Sequence, residues 1–361
     1  MAAIAVVAAG WWSGPAAAQQ IYPAPDAVMQ FNNLPERSEW SNHFAARCRA
    51  DGYLYLWDGT GVWRQDGVNV NGFTLIGQVS GVPDDSGVPG SSGVNMADAG
   101  PINFSRDDQR ILLGNGAGGW GPLEYPPQEW HAGRIFSMAV AGETASSPIA
   151  DIDYHYDFIP VSPRSTIDDA DRKYFVDYGS ADYETNPGSW VAVLDENTGD
   201  ATVVIEGIPD ASAAIATDNK GNLFACVGHG AWRGLIKWFA RAEVDQAYAT
   251  DTPLAWVDGV ALNPNNYDNH SGAGMFSDAR GYLFAGGNEG VTVFRPDGTS
   301  GTFNVLGGYN ASYASVIYNP LEDQVLVMFH DWVAGTMIDV YEAADFLSDA
   351  PGDANGDGAV N

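Results

Sequence analysis

The side chains in this chain best suited to chemistry are acids and histidines that each follow a short apolar run. They are Asp58, Asp177, His229, Glu289 and His330. If these side chains converge, they offer nitrogen and oxygen ligands for a metal ion, or an acid and base pair around a substrate. They lack the fixed short spacing of a metal motif such as HExxH, so the alternative of ordinary polar loop residues stays open.

A second group of residues on the same connecting segments is aromatic. Its members are Trp120, Tyr125, Trp130, Trp232 and Trp332. Exposed aromatic rings stack on sugar faces, so these residues favour polysaccharide recognition. Aromatic side chains also fill gaps between packed sheets, and this is our interpretation of Trp57, Trp63 and Trp238, which fall within apolar runs.

The C-terminal segment PGDANGDGAVN carries oxygen-bearing residues at alternate positions. A calcium loop has donors at positions 1, 3, 5, 7 and 9, a glycine at 6 and an acid at 12. Here the donors are Asp353, Asn355, Asp357, the Ala359 carbonyl and Asn361. The pattern resembles the first loop of a dockerin type I module, which implies attachment of a secreted protein to a cohesin-bearing scaffold. Position 12 is not in the sequence, so we expect weak calcium binding, and a calcium-binding linker or a plain Asp/Gly turn are alternatives.

The charge balance is strongly acidic, with 46 Asp and Glu residues against 16 Lys and Arg residues and a formal net charge of −30. Such a field repels phosphate backbones, which argues against nucleic acid as a partner. A solvated surface accounts for acidic residues of this kind, and binding of calcium as a cofactor by some of the carboxylates is the sharper alternative.

The N-terminal segment predicts export. Residues 1–18 are an apolar run that ends in Ala16-Ala17-Ala18 before Gln19, which fits a signal-peptide cleavage site, and we therefore expect a secreted, extracellular or cell-surface protein. The run is too short for a membrane span, and no other stretch is long and apolar enough for one. The two cysteines, Cys48 and Cys226, either form one bridge or, as we prefer, are separate buried thiols.

Internal repeats indicate the fold. The segments ATDNKGNLFACVG and FSDARGYLFAGG each read as a strand, an Asp/Gly turn and an apolar strand, with Asp218 and Asp278 six residues before a phenylalanine. The same offset joins Asp169 to Phe175 and Asp107 to Leu113. Weaker copies lie around Tyr55 and Val325, and the six copies recur at intervals of 41 to 62 residues. That is the length of a four-stranded propeller blade.

The ends of the chain predict how the ring closes. The sixth copy supplies three strands, whereas the segment DAVMQFNNL near the N-terminus belongs to no copy. An N-terminal strand that completes the last blade would remove the open edges of the ring. We therefore predict an all-β propeller of six four-stranded blades, with seven as the alternative if the long second interval hides another blade.

The repeats resemble the propeller group that contains NHL-repeat and gluconolactonase-like proteins. The resemblance covers about residues 26–346. We place the propeller over residues 19–346, a linker over 347–352 and the start of the calcium loop over 353–361. The motif is informative about fold and says little about activity. We expect a non-catalytic recognition or surface-assembly protein whose partner is an extracellular polysaccharide or protein. The alternative is a glycan-cleaving or lactonase-like metal-dependent hydrolase.

Overall fold

The computed structural model describes part of the chain, and the statements below concern that part. It covers residues 20–21, 25–30, 45–57, 61–78, 98–116, 134–140, 147–148, 150–152, 165–176, 189–195, 198, 200–209, 212–227, 234–263, 274–287, 290–296, 300–305, 311–331 and 335–347.

Nearly all of the regular structure is β-strand. The N-terminal strands and the first two blades comprise β1 Gln20–Ile21, β2 Ala27–Gln30, β3 Ala45–Cys48, β4 Leu54–Trp57, β5 Gly61–Gln65, β6 Phe73–Gln78, β7 Asp98–Phe104, β8 Arg110–Gly116, β9 Arg134–Ala139, β10 Ser147–Pro148 and β11 Ala150–Ile152. The next two blades comprise β12 Ser165–Ile167, β13 Lys173–Val176, β14 Ser189–Leu194, β15 Ala201–Ile208, β16 Ser212–Thr217, β17 Leu223–Val227, β18 Ile236–Phe239, helix α1 Arg241–Thr250, β19 Leu254–Ala255, a 3-10 turn Trp256–Asp258 and β20 Val260–Ala261. The last two comprise β21 Met275–Ser277, β22 Leu283–Gly286, β23 Val291–Phe294, β24 Ser300–Asn304, β25 Ala311–Asn319, β26 Gln324–Asp331, β27 Gly335–Glu342 and a 3-10 turn Ala343–Phe346.

These strands form six small sheets arranged as the blades of a propeller, which confirms the prediction of six blades over seven for the described residues. In blades 1 to 5 the chain supplies strands A, B, C and D in order, from the innermost to the outermost. Blade 6 takes its A, B and C strands from β25, β26 and β27, and its D strand is the N-terminal β2. Ala27 to Gln30 pair antiparallel with Val340 to Met337. The predicted closure of the ring by an N-terminal strand is therefore confirmed.

The blades are also joined in pairs by short parallel strands, a feature that the sequence analysis did not predict. The segment that leads into the D strand of each even-numbered blade first pairs with the outer edge of the preceding odd-numbered blade. Thus β10 pairs with β6 on blade 1, β19 pairs with β15 on blade 3, and β1 pairs with β24 on blade 5. The outer edges of blades 1, 3 and 5 are covered in this way, which protects backbone groups that would otherwise be open.

The apolar cores lie between neighbouring blades. The B strands β4, β13, β17 and β22 are buried at every residue, since both of their faces pack against side chains. This explains their apolar sequences, which Lys173 interrupts only at the start of β13. Between blades 1 and 2, Tyr55 packs edge-to-face on Phe104 with ring centroids 4.9 Å apart. Between blades 5 and 6, Phe276 stacks on Tyr318 at 5.0 Å.

One helix interrupts the all-β pattern. Helix α1 lies between the C and D strands of blade 4 and buries Val244 and Ala247 against the core shared by blades 3 and 4. It ends at Asp251, which has a positive φ of 50°. This helix was not predicted from the sequence, because its buried apolar face consists of only two residues, Val244 and Ala247.

The two cysteines are free and buried, as preferred in the sequence analysis. Cys48 is on blade 1 and Cys226 is on blade 4, which lies across the ring, so the fold itself prevents a bridge.

Candidate functional site on the loop face

The propeller has two different ends. In each blade the A–B and C–D connections lie at one end, which we call the turn face, and the B–C and D–A connections lie at the other, which we call the loop face. The strands on either side of the undescribed connections 31–44, 79–97, 117–133, 153–164, 177–188 and 264–273 end and begin at the loop face, whereas the long described connection 240–259 of blade 4 lies at the turn face. Binding and catalytic residues concentrate on such loops, so the loop face is the candidate functional site.

The turn face is built from the repeated Asp/Gly turns. In blade 4 the Asp218 carboxylate accepts backbone hydrogen bonds from Lys220 at 2.9 Å and from Asn222 at 2.8 Å. Asp278 in blade 5 does the same for Arg280 and Tyr282. These carboxylates hold the turns in shape, which explains why aspartate recurs there.

The structure corrects the position of the turn residue in two copies. In blade 3 the carboxylate that accepts the turn hydrogen bonds is Asp168, from Ala170 and Arg172, and not Asp169. In blade 2 the equivalent backbone position is Ser105, whose backbone N–H donates to Arg110 O, while Asp107 accepts from the Ser105 hydroxyl at 2.6 Å. The offset of six residues failed in blade 3 because Asp168 and Asp169 are adjacent, and in blade 2 because the turn is one residue longer and begins at a serine.

The turns also bind to one another around the ring. Arg106 N donates to Asp171 Oδ1 at 3.0 Å between blades 2 and 3, and Asn219 Nδ2 donates to Ala279 O at 2.6 Å between blades 4 and 5. Further contacts are Arg241 to Asp169 at 2.7 Å, Arg280 to Asp323 at 2.9 Å and Asn319 to the Gly52 carbonyl at 3.5 Å. These contacts join five of the six pairs of neighbouring blades, so the turn face has a structural role.

Electrostatics agree with this structural role. The hydrogen bond from Arg241 lowers the pKa of the Asp169 carboxyl, and the Ser105 hydroxyl lowers the pKa of Asp107. Both carboxylates are exposed and ionised, so neither is poised to exchange a proton near neutral pH.

The predicted catalytic residues lie at the ends of B strands by sequence, but most lie outside the described residues. This holds for Asp58, Asp177, His229 and Glu289. His330 is inside β26, where its backbone pairs with Ser312 and Thr336, and so it precedes the end of the strand by one residue.

The predicted sugar-binding aromatics and the calcium loop also lie outside the described residues. The aromatics are Trp120, Tyr125, Trp130, Trp232 and Trp332, and the loop residues are Asp353, Asn355, Asp357, Ala359 and Asn361. In the part of the chain that the structure covers, no group of three or more His, Cys, Asp or Glu side chains is placed to hold a metal ion. No helix there is long and apolar enough to cross a membrane.

The innermost strands form the wall around the propeller axis. Over the six described A strands, β3, β7, β12, β16, β21 and β25, the charged residues are Arg47 and Asp98. Polar contacts between blades occur on the same wall, where Asn103 Nδ2 donates to Ser165 Oγ and the Thr166 and Thr217 hydroxyls lie 3.2 Å apart. Arg47 was not among the residues predicted from the sequence, although a charged residue within the short strand AARC is a visible signal.

Comparison with known proteins gives the fold. No protein-family model and no curated protein sequence matches the chain. Among solved structures, regucalcin from Agrobacterium tumefaciens, a calcium-binding protein, aligns with 81% of this chain and 88% of its own at 10% identity and a TM-score of 0.51. A gluconolactonase from Xanthomonas campestris aligns with 88% of this chain and 99% of its own at 11% identity and a TM-score of 0.50. The chain is thus a six-bladed β-propeller that resembles regucalcin and gluconolactonase structures in fold.

Proposed function

We propose that this chain is a secreted, non-catalytic recognition propeller that binds an extracellular polysaccharide or protein through its loop face. The observation that carries the proposal is the composition of the innermost wall. Its described A strands hold one carboxylate, Asp98, and neither histidine nor glutamate. A hydrolytic site needs at least two carboxylates or three to four metal ligands close together, so in this chain such a site would have to be built from loop residues and not from the described A strands.

The path of the last described residues, up to Leu347, supports presentation of the loop face. Strand β27 runs towards the turn face, and Ala343 N donates there to Asp323 O at 2.9 Å. Phe346 is then fully buried against blade 5, with its ring centroid 5.5 Å from that of Phe303. A dockerin-like module that follows residue 352 would leave from the side of the ring away from the loops, so a scaffold on that module would not cover the proposed binding face.

Binding can be measured by affinity electrophoresis of residues 19–361 through gels that contain neutral soluble polysaccharides. We expect retardation that is lost in Trp120→Ala, Trp130→Ala and Trp232→Ala, because exposed rings supply stacking contacts. Lys220→Ala is the matched control, since this exposed side chain lies on the turn face. Equal mobility in gels with and without polysaccharide would remove the polysaccharide proposal, and immobilised extracellular proteins would be the next probes.

The alternative is a hydrolase that uses loop residues, and the fold shared with a gluconolactonase is its support. The test is hydrolysis of lactones and glycans with added calcium or zinc. Turnover that disappears in His229→Ala and Glu289→Ala, but persists in Lys220→Ala, would replace the recognition proposal with an enzyme.

Calcium is proposed as the metal of the C-terminal loop. Thermal unfolding with and without calcium, for residues 19–361 and for a chain that ends at Ser348, locates its site. We expect at most a small calcium-dependent shift, confined to the longer chain. An equal shift in both chains would place the metal in the propeller and strengthen the hydrolase alternative.

A further inference from the structure

Arg47 occupies an unusual place for a charged residue. It lies on β3, the innermost strand of blade 1, and pairs with Tyr55. The equivalent positions in the other blades point towards the next blade, as shown by the bond from Asn103 to Ser165 and the contact of Thr166 with Thr217. Arg47 therefore points into the space between blades 1 and 2, next to the propeller axis.

The surroundings of Arg47 are apolar. The cluster between blades 1 and 2 contains Tyr55, Trp57, Ile102 and Phe104, all buried. Arg47 itself is only half-buried, although it lies on an innermost strand next to the propeller axis. Burial lowers the pKa of its guanidinium, because the protein replaces part of the water around the cation.

No anion of the protein compensates this charge within the described residues. The thiol of Cys48 is neutral, because burial raises its pKa to about 12. Asp98 is five residues from Asn103 along β7, so strand geometry separates it from the level of Arg47 by about 16 Å.

Other arginines of the described chain show the contrast. Arg49 is paired with Asp51, Arg172 with Asp168 and Arg280 with Asp278. Arg47 is the one arginine on the described A strands, and no described carboxylate lies beside it.

We propose that Arg47 binds a small carboxylate anion in the central channel. An uncompensated charge in an apolar site is costly, and a bound anion offsets the cost. The planar guanidinium fork matches both oxygens of a carboxylate. The net charge of −30 opposes large polyanions most strongly, so a small monovalent anion is the favoured class. This site goes beyond the proposed function and does not depend on the loop face.

The experiment is thermal unfolding of residues 19–361 in a titration with sodium acetate at constant ionic strength, with chloride as the balancing anion. We expect a saturable rise in Tm. In Arg47→Gln the rise disappears, or its half-saturation moves at least about tenfold higher. Arg49→Gln is the matched control, since it removes a charge from the same blade and leaves Arg47 in place.

A second readout separates binding from a structural role. Without acetate, Arg47→Gln should unfold at the same temperature as the parent or higher, because an uncompensated charge has been removed. A clearly lower Tm would assign Arg47 a structural role and overturn the proposal, as would an acetate effect of equal size in both proteins.

Three further outcomes are decisive. Loss of folding in Arg47→Gln refutes the proposal unless Arg47→Lys, which keeps the charge but not the fork, folds and shows weakened acetate binding. No saturable effect of acetate over chloride refutes the carboxylate assignment. Polysaccharide binding is measured on the same variant. It should be unchanged, because the proposed sugar contacts lie on the loop face and do not involve Arg47. Failure of one proposal therefore leaves the other standing.

Discussion

Replacing Phe346 with alanine is expected to lower the free energy of unfolding by about 3–5 kcal/mol. The side chain is fully buried, and its ring meets those of Tyr341 at 5.4 Å, Phe303 at 5.5 Å and Phe284 at 6.1 Å, all edge-to-face. Burial of such a ring contributes about 1.5–3 kcal/mol. Each aromatic pair adds about 0.5–1.5 kcal/mol, part of which is regained as the cavity collapses.

Urea denaturation followed by far-ultraviolet circular dichroism measures this change. Phe346→Leu keeps most of the apolar volume and should cost less than about 1.5 kcal/mol. Leu321→Ala is the surface control, because Leu321 is 54% exposed, and it should change stability by about 0.5 kcal/mol or less. A loss below about 1 kcal/mol in Phe346→Ala would refute the inclusion of residues 343–347 in the propeller core.

The other predictions concern ring closure and pH. Met29→Ala should destabilise by about 2–5 kcal/mol in urea, because Met29 is 1% exposed on the closing strand, and unchanged stability would mean that β2 does not close the ring. Arg241→Gln should lower Tm at neutral pH but not in acid. The reason is that Arg241 lowers the pKa of Asp169 in the folded state. The stabilisation by this pair is therefore fully present above the unfolded-state pKa of Asp169 and is lost as pH falls through its folded-state pKa. A difference in Tm that does not change with pH would contradict this prediction. Asp345→Asn should raise Tm at pH about 7, because burial and then two nearby carboxylates raise the pKa of Asp345 and its ionisation costs stability. The gain should vanish as pH falls through that pKa, and a lower Tm at neutral pH would disprove the repulsion.

The sequence predicts the blade architecture because its signals are local. Alternating strands and Asp/Gly turns, such as those at Asp218 and Asp278, need only neighbouring residues to form, and the unmatched strand at Ala27–Gln30 reveals the closure of the ring. The choice between Asp168 and Asp169 was wrong because both fit the turn pattern, and only the hydrogen bonds distinguish them.

Other features have no local signal. A parallel strand of two residues, such as Leu254–Ala255, carries no pattern, since its stability comes from the edge it covers. Arg47 likewise has no carboxylate beside it among the described residues because the neighbouring blades place none there. The sequence of a single strand cannot show this. The predicted loop-face residues stay predictions for the same reason, because their convergence depends on how separate connections fold together.

The parallel strands that join the blades in pairs have a consequence for how this architecture can change length. The odd-numbered blades begin at Ala45, Ser165 and Met275, so one pair takes about 110–120 residues. Deleting or duplicating one blade would leave an outer strand edge unpaired, or would leave one of the short parallel strands without an edge to pair with. Deleting or duplicating two consecutive blades as a pair would preserve every such contact. The natural step of growth in this ring is two blades, which would make four- and eight-bladed versions better engineering targets than five- or seven-bladed ones.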